Sequence, residues 1–275
     1  MQLEGKTAFI TGGGGGIGGG MAQAFAEKGM RLVLADIDVG HARANARDLG
    51  GDAVALALDV ASLDSWAAAR EAALARFGQV DVLCNNAGIS TPMMPLAEMS
   101  PEAFAQVMAI NVTGVYNGVV TFAGHMRRRG SGHIVNTSSI NGLIPHATFA
   151  AYSASKFAVT GLSDALRGEM APLGIGVSTL FPGLTRSRMS LSVNAKAAAS
   201  DQQLAASIEA SMMEPIWLGR AVARAIEENA PYIISHPGYR PTFEARCRDL
   251  LDSFREPAQP GYRGGTTATR SPERG

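Results

Sequence analysis

Lys6-Thr7-Ala8-Phe9-Ile10-Thr11-Gly12-Gly13-Gly14-Gly15-Gly16-Ile17-Gly18 joins a short apolar run to a glycine turn, and Met21, Ala24 and Phe25 then mark one face of a helix. Glycines let a backbone turn tightly and approach a pyrophosphate, which meets the unpaired N–H groups at the helix start. A flexible linker is the other use of a glycine run, but a linker is not set between a strand and an amphipathic helix. Gly12, Gly16, Ile17 and Gly18 are therefore expected to hold a dinucleotide phosphate. Gly19 and Gly20 have no such use. Each costs on the order of 1 kcal/mol relative to Ala within a helical turn, and nothing nearby in the sequence explains them.

Outward from this turn the pattern repeats. Lys6–Ile10, Arg31–Asp36, Ala53–Leu58, Val80–Asn85, His133–Thr137, Ile175–Phe181 and Tyr232–Ser235 are short apolar runs that suit strands buried on both faces. Met21–Lys28, His41–Leu49, Ser62–Phe77, Pro101–Arg128, Ser153–Met170 and Pro215–Glu228 lie between them as amphipathic segments. The alternation predicts an α/β fold: a Rossmann-type, doubly wound, seven-stranded parallel sheet with helices on both faces. No linker divides it, so one domain is expected over 1–256. Residues 184–213 are long for a plain connection and follow a strand's carboxyl end, which suits a lid over a substrate better than a solvated helical insertion. Residues 257–275 have almost no large apolar side chains and are expected to be a disordered tail.

The chain has 275 residues, is 46% hydrophobic and 17% charged, and has zero formal net charge. That balance is ordinary for a soluble protein and steers it toward neither nucleic acid nor an anionic membrane. Arg127-Arg128-Arg129, followed by Gly130, reads as a solvated helix end. Two cysteines, Cys84 and Cys247, make no disulfide framework, and five scattered histidines show no metal-ligand pairing. The first residues lack a basic region followed by an apolar segment, and no run reaches the roughly 18 apolar residues of a membrane span. A soluble, cytoplasmic protein without metal is expected.

Asp36 ends the second strand, 18 residues after Gly18. Its carboxylate can accept bonds from both hydroxyls of an adenosine ribose and repel a 2′-phosphate. Gly15 and Ile37 stand where Arg or Lys would serve that phosphate, so NAD is favoured over NADP. Asp59-Val60, after the third strand, can place a carboxylate near the adenine amino group, or Asp59 is simply a helix cap. Tyr152 and Lys156 stand at i and i+4, on one helix face. A free tyrosine has a pKa near 10; a lysine charge about 4 Å away at an effective dielectric near 20 supplies roughly 4 kcal/mol, or about three pK units. The positive nicotinamide of an oxidised cofactor would push the same way, and the pair is thus expected to form a general base that works near neutrality.

Taken together, Thr11–Gly18, Asn85-Asn86-Ala87-Gly88, Asn111, Ser139, Tyr152-Ser153-Ala154-Ser155-Lys156 and Pro182-Gly183 resemble the compact, single-domain short-chain dehydrogenases/reductases. The resemblance spans roughly residues 4–235. It implies that Ser139 orients the substrate oxygen, Tyr152 transfers the proton, and Lys156 holds the nicotinamide ribose. It implies that Asn111 supports a proton path from Lys156, although capping of backbone is the alternative there, as Ser138 is for Ser139. Asn86, Ala87 and Gly88 would wall the adenine ribose, and Pro182, Gly183 and Thr185 would fix the carboxamide. Where the family often has Thr, this chain has Ser187, whose hydroxyl is expected to keep the same contact. Homo-oligomers, tetramers or dimers, are usual in the family.

Ile140, Asn141, His146, Phe149, Met93, Met94, Met189 and Met212 are the substrate-side candidates, mainly apolar and adaptable; for His146 an exposed loop position is the alternative. They suit a bulky, weakly polar secondary alcohol or ketone. Met213-Glu214-Pro215 and Tyr232–Pro237 also resemble the aryl-ether Cα-dehydrogenase subgroup. An NADPH-using carbonyl reductase and a non-catalytic cofactor sensor on the same fold are the other readings.

Overall fold

In a computed structural model of the chain, residues 1–191 and 202–254 are described. Seven strands form: β1 (Thr7–Thr11), β2 (Arg31–Asp36), β3 (Ala53–Ala57), β4 (Val82–Asn85), β5 (Gly132–Thr137), β6 (Ile175–Phe181) and β7 (Tyr232–Ile234). They make one sheet in the order β3-β2-β1-β4-β5-β6-β7, and every neighbouring pair is parallel. The fold is the doubly wound Rossmann type.

The two-residue period of the strands sorts the core into two layers. Ile10, Leu34, Cys84, Val135 and Leu180 cluster with Met21 and Phe25 of α1 (Gly16–Glu27) and Leu218, Val222 and Ile226 of α8 (Pro215–Glu228). Their neighbours Phe9, Val33, Leu83 and Ile134 cluster with side chains of α3 (Leu63–Phe77), α5 (Gly114–Arg129) and α6 (Ala150–Met170). There the Phe9 ring stacks on Trp66 at 5.7 Å and tilts against Phe122 at 5.0 Å. The remaining helix beside β2, α2 (Val39–Leu49), is capped by Asp38, and α3 is capped by Ser62, whose Oγ accepts the Ser65 N–H.

Helix α1 begins at Gly16, five residues before the expected Met21, so Gly19 and Gly20 lie inside it. Packing supplies the reason the local sequence lacks. A Cβ on Gly20 would stand 2.2 Å from the Pro215 carbonyl oxygen, and one on Gly219 would stand 2.1 Å from the Gly20 carbonyl oxygen. The two backbones of α1 and α8 therefore touch without side chains between them. Gly19 leaves room for the Asn45 amide, which donates to the Gly13 carbonyl at 2.9 Å.

The segment expected as one helix over Pro101–Arg128 is α4 (Pro101–Met108), a π-turn (Ala109–Thr113) and α5. By length, and by a mean hydropathy of 1.3 over an 18-residue stretch, this run is apolar enough to cross a membrane. Half of it is buried inside the protein, and Asn111 and Asn117 are buried on its inner side. At its end Arg129 does not stay in solvent: it turns inward to Asp81 and to the Val80 carbonyl.

The chain divides into two units at Gly238, where one domain to residue 256 was expected. The described part of the second unit is mainly α9 (Arg240–Leu251), which has no buried residue. Of the expected lid, the two ends meet in a bridge between Thr185 and Met213, and α7 (Gln202–Ala210) leads back from it. Residues 192–201 of the lid, and the expected tail at 257–275, lie outside the described residues.

Candidate active site

Strand order reverses between β1 and β4, so the carboxyl ends of these strands open a crevice. The glycine turn leaves β1 into it. Gly12 and Gly16 have φ of 66° and 53°, values that favour glycine. A Cβ on Gly18 would stand 2.2 Å from the Gly12 carbonyl, so the turn is packed on itself. Asp36 is buried beside it; one carboxylate oxygen accepts the Gly14 N–H at 2.9 Å and the other the Asp38 N–H at 3.0 Å. Each oxygen retains a second lone pair for a ribose hydroxyl. Glycine backbone against a helix start, with a carboxylate at its edge, fits an adenosine dinucleotide.

Across the crevice, Thr11 ties the turn to the segment after β4, a role missed in the sequence. Its Oγ1 accepts the N–H groups of Asn86 and Ala87, both at 2.9 Å, while its carbonyl accepts the Asn86 amide at 3.0 Å. The adenine-side expectations fare differently. Asp59 is exposed and its Oδ1 accepts the Ala61 N–H at 2.9 Å, as a turn cap does. Val60 is buried and its carbonyl takes bonds from Trp66 Nε1 and the Asn117 amide. A cation does reach the adenosine side, from a distant part of the chain: Arg188 contacts the His41 ring, whose Cβ lies beside Gly14 and Asp36.

The reacting groups gather where β5 ends and α6 begins. Tyr152 is half-buried in the first turn of α6, and its phenol faces the Ser139 side chain. Ser138 is excluded from that role, because its hydroxyl donates to the Lys156 carbonyl at 2.9 Å and meets Thr160 Oγ1 at 3.0 Å. Lys156 is buried; its ammonium donates to the Thr137 carbonyl at 2.9 Å and lies 5.6 Å from the Tyr152 ring centre. The π-turn brings in Asn111, whose amide bridges Ile89: Oδ1 accepts its N–H at 2.8 Å and Nδ2 donates to its carbonyl at 2.9 Å. Nδ2 also reaches Ser155 Oγ at 3.1 Å. Asn111 thus ties the chain after β4 to α6, rather than capping its own helix. Gly88 lies between Asn111 Oδ1 and Lys156 Nζ, 3.1 and 3.5 Å from where its Cβ would be.

Burial dominates the electrostatics of the pair. It pushes the Tyr152 phenol above its ordinary value, with the neighbouring Ser139 side chain pulling the other way. It also draws the Lys156 ammonium down to about 8. The physical reason is that the ammonium is turned to Thr137 and has no carboxylate partner among the described residues.

Ile140 and Met212 are buried. The N–H of Ile140 donates to the Pro182 carbonyl at 3.0 Å, which joins the segment after Ser139 to the turn after β6. Phe149 meets Tyr152 edge-on at 6.2 Å, and His146 meets Phe149 at 5.6 Å, so His146 stands one ring removed from the phenol. His146 is exposed and its Nδ1 is engaged by Thr148. Met93 and Met189 are also exposed. Thr185 is buried, with Oγ1 donating to the Gly183 carbonyl at 3.3 Å. Ser187 turns its hydroxyl to Ser190 at 3.1 Å, while its Cβ lies 2.9 Å from where one on Gly16 would be. His236, absent from the sequence reading, covers Gly183.

Comparison with known proteins agrees with this geometry. Residues 6–198 match the family model of the short chain dehydrogenases. The chain is 32% identical to a C alpha-dehydrogenase of Sphingobium sp. over 92% of its own length and 87% of the relative's. It is 38% identical to a 2,5-dichloro-2,5-cyclohexadiene-1,4-diol dehydrogenase of Sphingobium indicum, over 66% of its length and 74% of the relative's. The crystal structure of a short chain dehydrogenase/reductase from Burkholderia phymatum in complex with NAD superposes with a TM-score of 0.84 at 32% identity, covering 94% of this chain and 99% of that one. With its crevice, its Ser139–Tyr152–Lys156 cluster and these relatives, the chain belongs to the short chain dehydrogenase family.

Proposed function

We propose that the chain is an NAD-dependent dehydrogenase that interconverts a bulky, apolar secondary alcohol and its ketone, with Tyr152 as the acid and base. The observation that carries this reading is Tyr152 in the first turn of α6 facing Ser139, with buried Lys156 one turn on and its ammonium 5.6 Å from the Tyr152 ring centre. When bound, the nicotinamide supplies hydride transfer. Gly12, Gly16, Ile17 and Gly18 hold the pyrophosphate, and Asp36 the adenosine ribose, with Asn86, Ala87 and Gly88 along its far wall. Asp59 and Val60 border the adenine, and Pro182, Gly183 and Thr185 take the carboxamide. Ser139 orients the substrate oxygen. Tyr152 removes the proton from the alcohol and returns it to the ketone, and Asn111 and Lys156 stand on the side from which that proton is replenished. Burial raises the pKa of the phenol, and the Lys156 ammonium and the positive charge of oxidised nicotinamide both favour its ionised form.

Ile140, Met212, Phe149 and Met189 bound the substrate side with apolar surface, which favours an aromatic or alicyclic alcohol, and His146 lines its rim. The name of the Sphingobium indicum relative, a cyclohexadienediol dehydrogenase, points to an alicyclic alcohol. Exposed Trp217, Tyr232 and Ile234 on α8 and β7 support a homo-oligomer.

Tyr152→Phe is expected to lower turnover of secondary alcohols by about 10² to 10⁴-fold while NADH still binds, by fluorescence titration. Substantial retained turnover would sink the assignment. Asp36→Ala is expected to narrow the gap between NAD and NADP in kcat/KM; an unchanged ratio would remove Asp36 from cofactor choice.

A further inference from the structure

We propose that His236 is a positioning residue for the nicotinamide side of the site, setting the register of the turn Pro182–Thr185 through one neutral tautomer. The inference rests on the dehydrogenase reading above, which gives this turn the carboxamide. His236 follows β7 and lies 53 residues from Gly183. Its Nδ1 accepts the Gly183 N–H at 3.0 Å and is 2.8 Å from Ser235 Oγ. A backbone N–H can only donate, so Nδ1 carries no proton. The other ring nitrogen, Nε2, is 3.2 Å from the Leu184 carbonyl, which can only accept, so Nε2 carries the proton. The imidazole also lies flat on Gly183: a Cβ there would meet its Cγ at 2.6 Å.

The turn is therefore gripped from two sides. On one side the Ile140 N–H, next to Ser139, holds the Pro182 carbonyl at 3.0 Å. On the other, His236 holds the next two residues. The Met213 N–H shares the Leu184 carbonyl at 3.0 Å, which ties the base of the lid to the same point. Protonating Nδ1 would set a donor against the Gly183 N–H and release this side. Burial favours the neutral ring and the Leu184 carbonyl favours the charged one, with burial the larger. Gly183 and Leu184 of the turn and Ser235 after β7 meet the ring, and none of the three has an ionisable side chain.

The test compares a probe that uses the turn with one that does not. NADH carries the nicotinamide; ADP-ribose keeps the adenosine, the pyrophosphate and the second ribose and lacks only that ring. For His236→Ala, NADH is expected to bind about tenfold more weakly, the loss of a hydrogen bond pair at a partly buried site, with ADP-ribose affinity within about twofold of wild type. Parallel loss of both, or no loss for NADH, overturns the proposal. His236→Asn keeps an acceptor for Gly183 but cannot titrate. Wild-type NADH affinity should fall as pH drops below the ordinary histidine range, and the Asn variant should stay flat; an Asn variant that keeps the wild-type fall overturns the proposal, even if the Ala variant does not fold. A wild-type chain that binds ADP-ribose but not NADH at neutral pH overturns the dehydrogenase reading itself.

Discussion

Each end of the sheet buries a charge, and the two are treated oppositely. At the amino end, Asp81 is fully buried and meets Arg129, while its Oδ2 accepts the Thr7 N–H at 2.9 Å and Gln79 donates to both oxygens. At the carboxyl end, Lys156 is just as deep and is offered one carbonyl at 2.9 Å. The first is a closed network in which a charge is answered by an opposite charge and by neutral donors. The second leaves a charge unanswered in a low dielectric, and its pKa falls to about 8 as a result. Closure serves the fold; an open valence serves chemistry.

Exchange of the charges should separate those roles. Arg129→Met leaves Asp81 buried without its cation and is expected to cost about 3 to 5 kcal/mol of stability, read by urea unfolding, with kcat unaltered in the folded fraction. Lys156→Met should do the reverse, abolishing turnover while leaving the unfolding midpoint unchanged or higher. A large loss of stability in the lysine variant would break the contrast. A smaller effect concerns His133, buried in β5 with Nε2 2.8 Å from Ser178 Oγ. Burial lowers its pKa to about 4, so the native state holds it neutral. Its contribution is complete above the unfolded value near 6.5 and is lost as pH falls toward 4, in all roughly 3 kcal/mol. Stability that stays level over that window in the wild-type chain, or that falls equally in His133→Gln, would remove the effect from this residue. The smallest expected effects sharpen the comparison of glycines. Gly20→Ala, driven into the Pro215 carbonyl, should lose about 2 kcal/mol. Gly168→Ala, where a Cβ meets open space on α6, should gain up to about 1 kcal/mol.

What was legible in the sequence was what is local. The glycine turn, Asp36 at the end of β2, and Tyr152 with Lys156 one helical turn later are each set by neighbours in the chain, and periodicity alone placed all seven strands within two residues. What was not legible depends on partners far away in sequence. Gly20 has its reason in Gly219 and Pro215, Asn111 in Ile89 and Ser155, and Gly183 in His236. The same holds for Lys156: spacing set it one turn from Tyr152, but the direction of its ammonium was decided by Thr137, which spacing does not reveal. Arg188 likewise arrives at His41 from beyond β6, a contact that the local sequence around Asp36 does not reveal.

The backbone crossing of α1 over α8 has a mechanical meaning. Helix α1 presents the glycine turn, and α8 leads into β7 and thence to His236. Where helices touch through side chains, rotamer changes can absorb a shift; where Gly20 and Gly219 put carbonyl against Cα, nothing soft lies between. The crossing acts as a fixed gauge, holding the anchor for one end of a long ligand at a constant span from the anchor for the other.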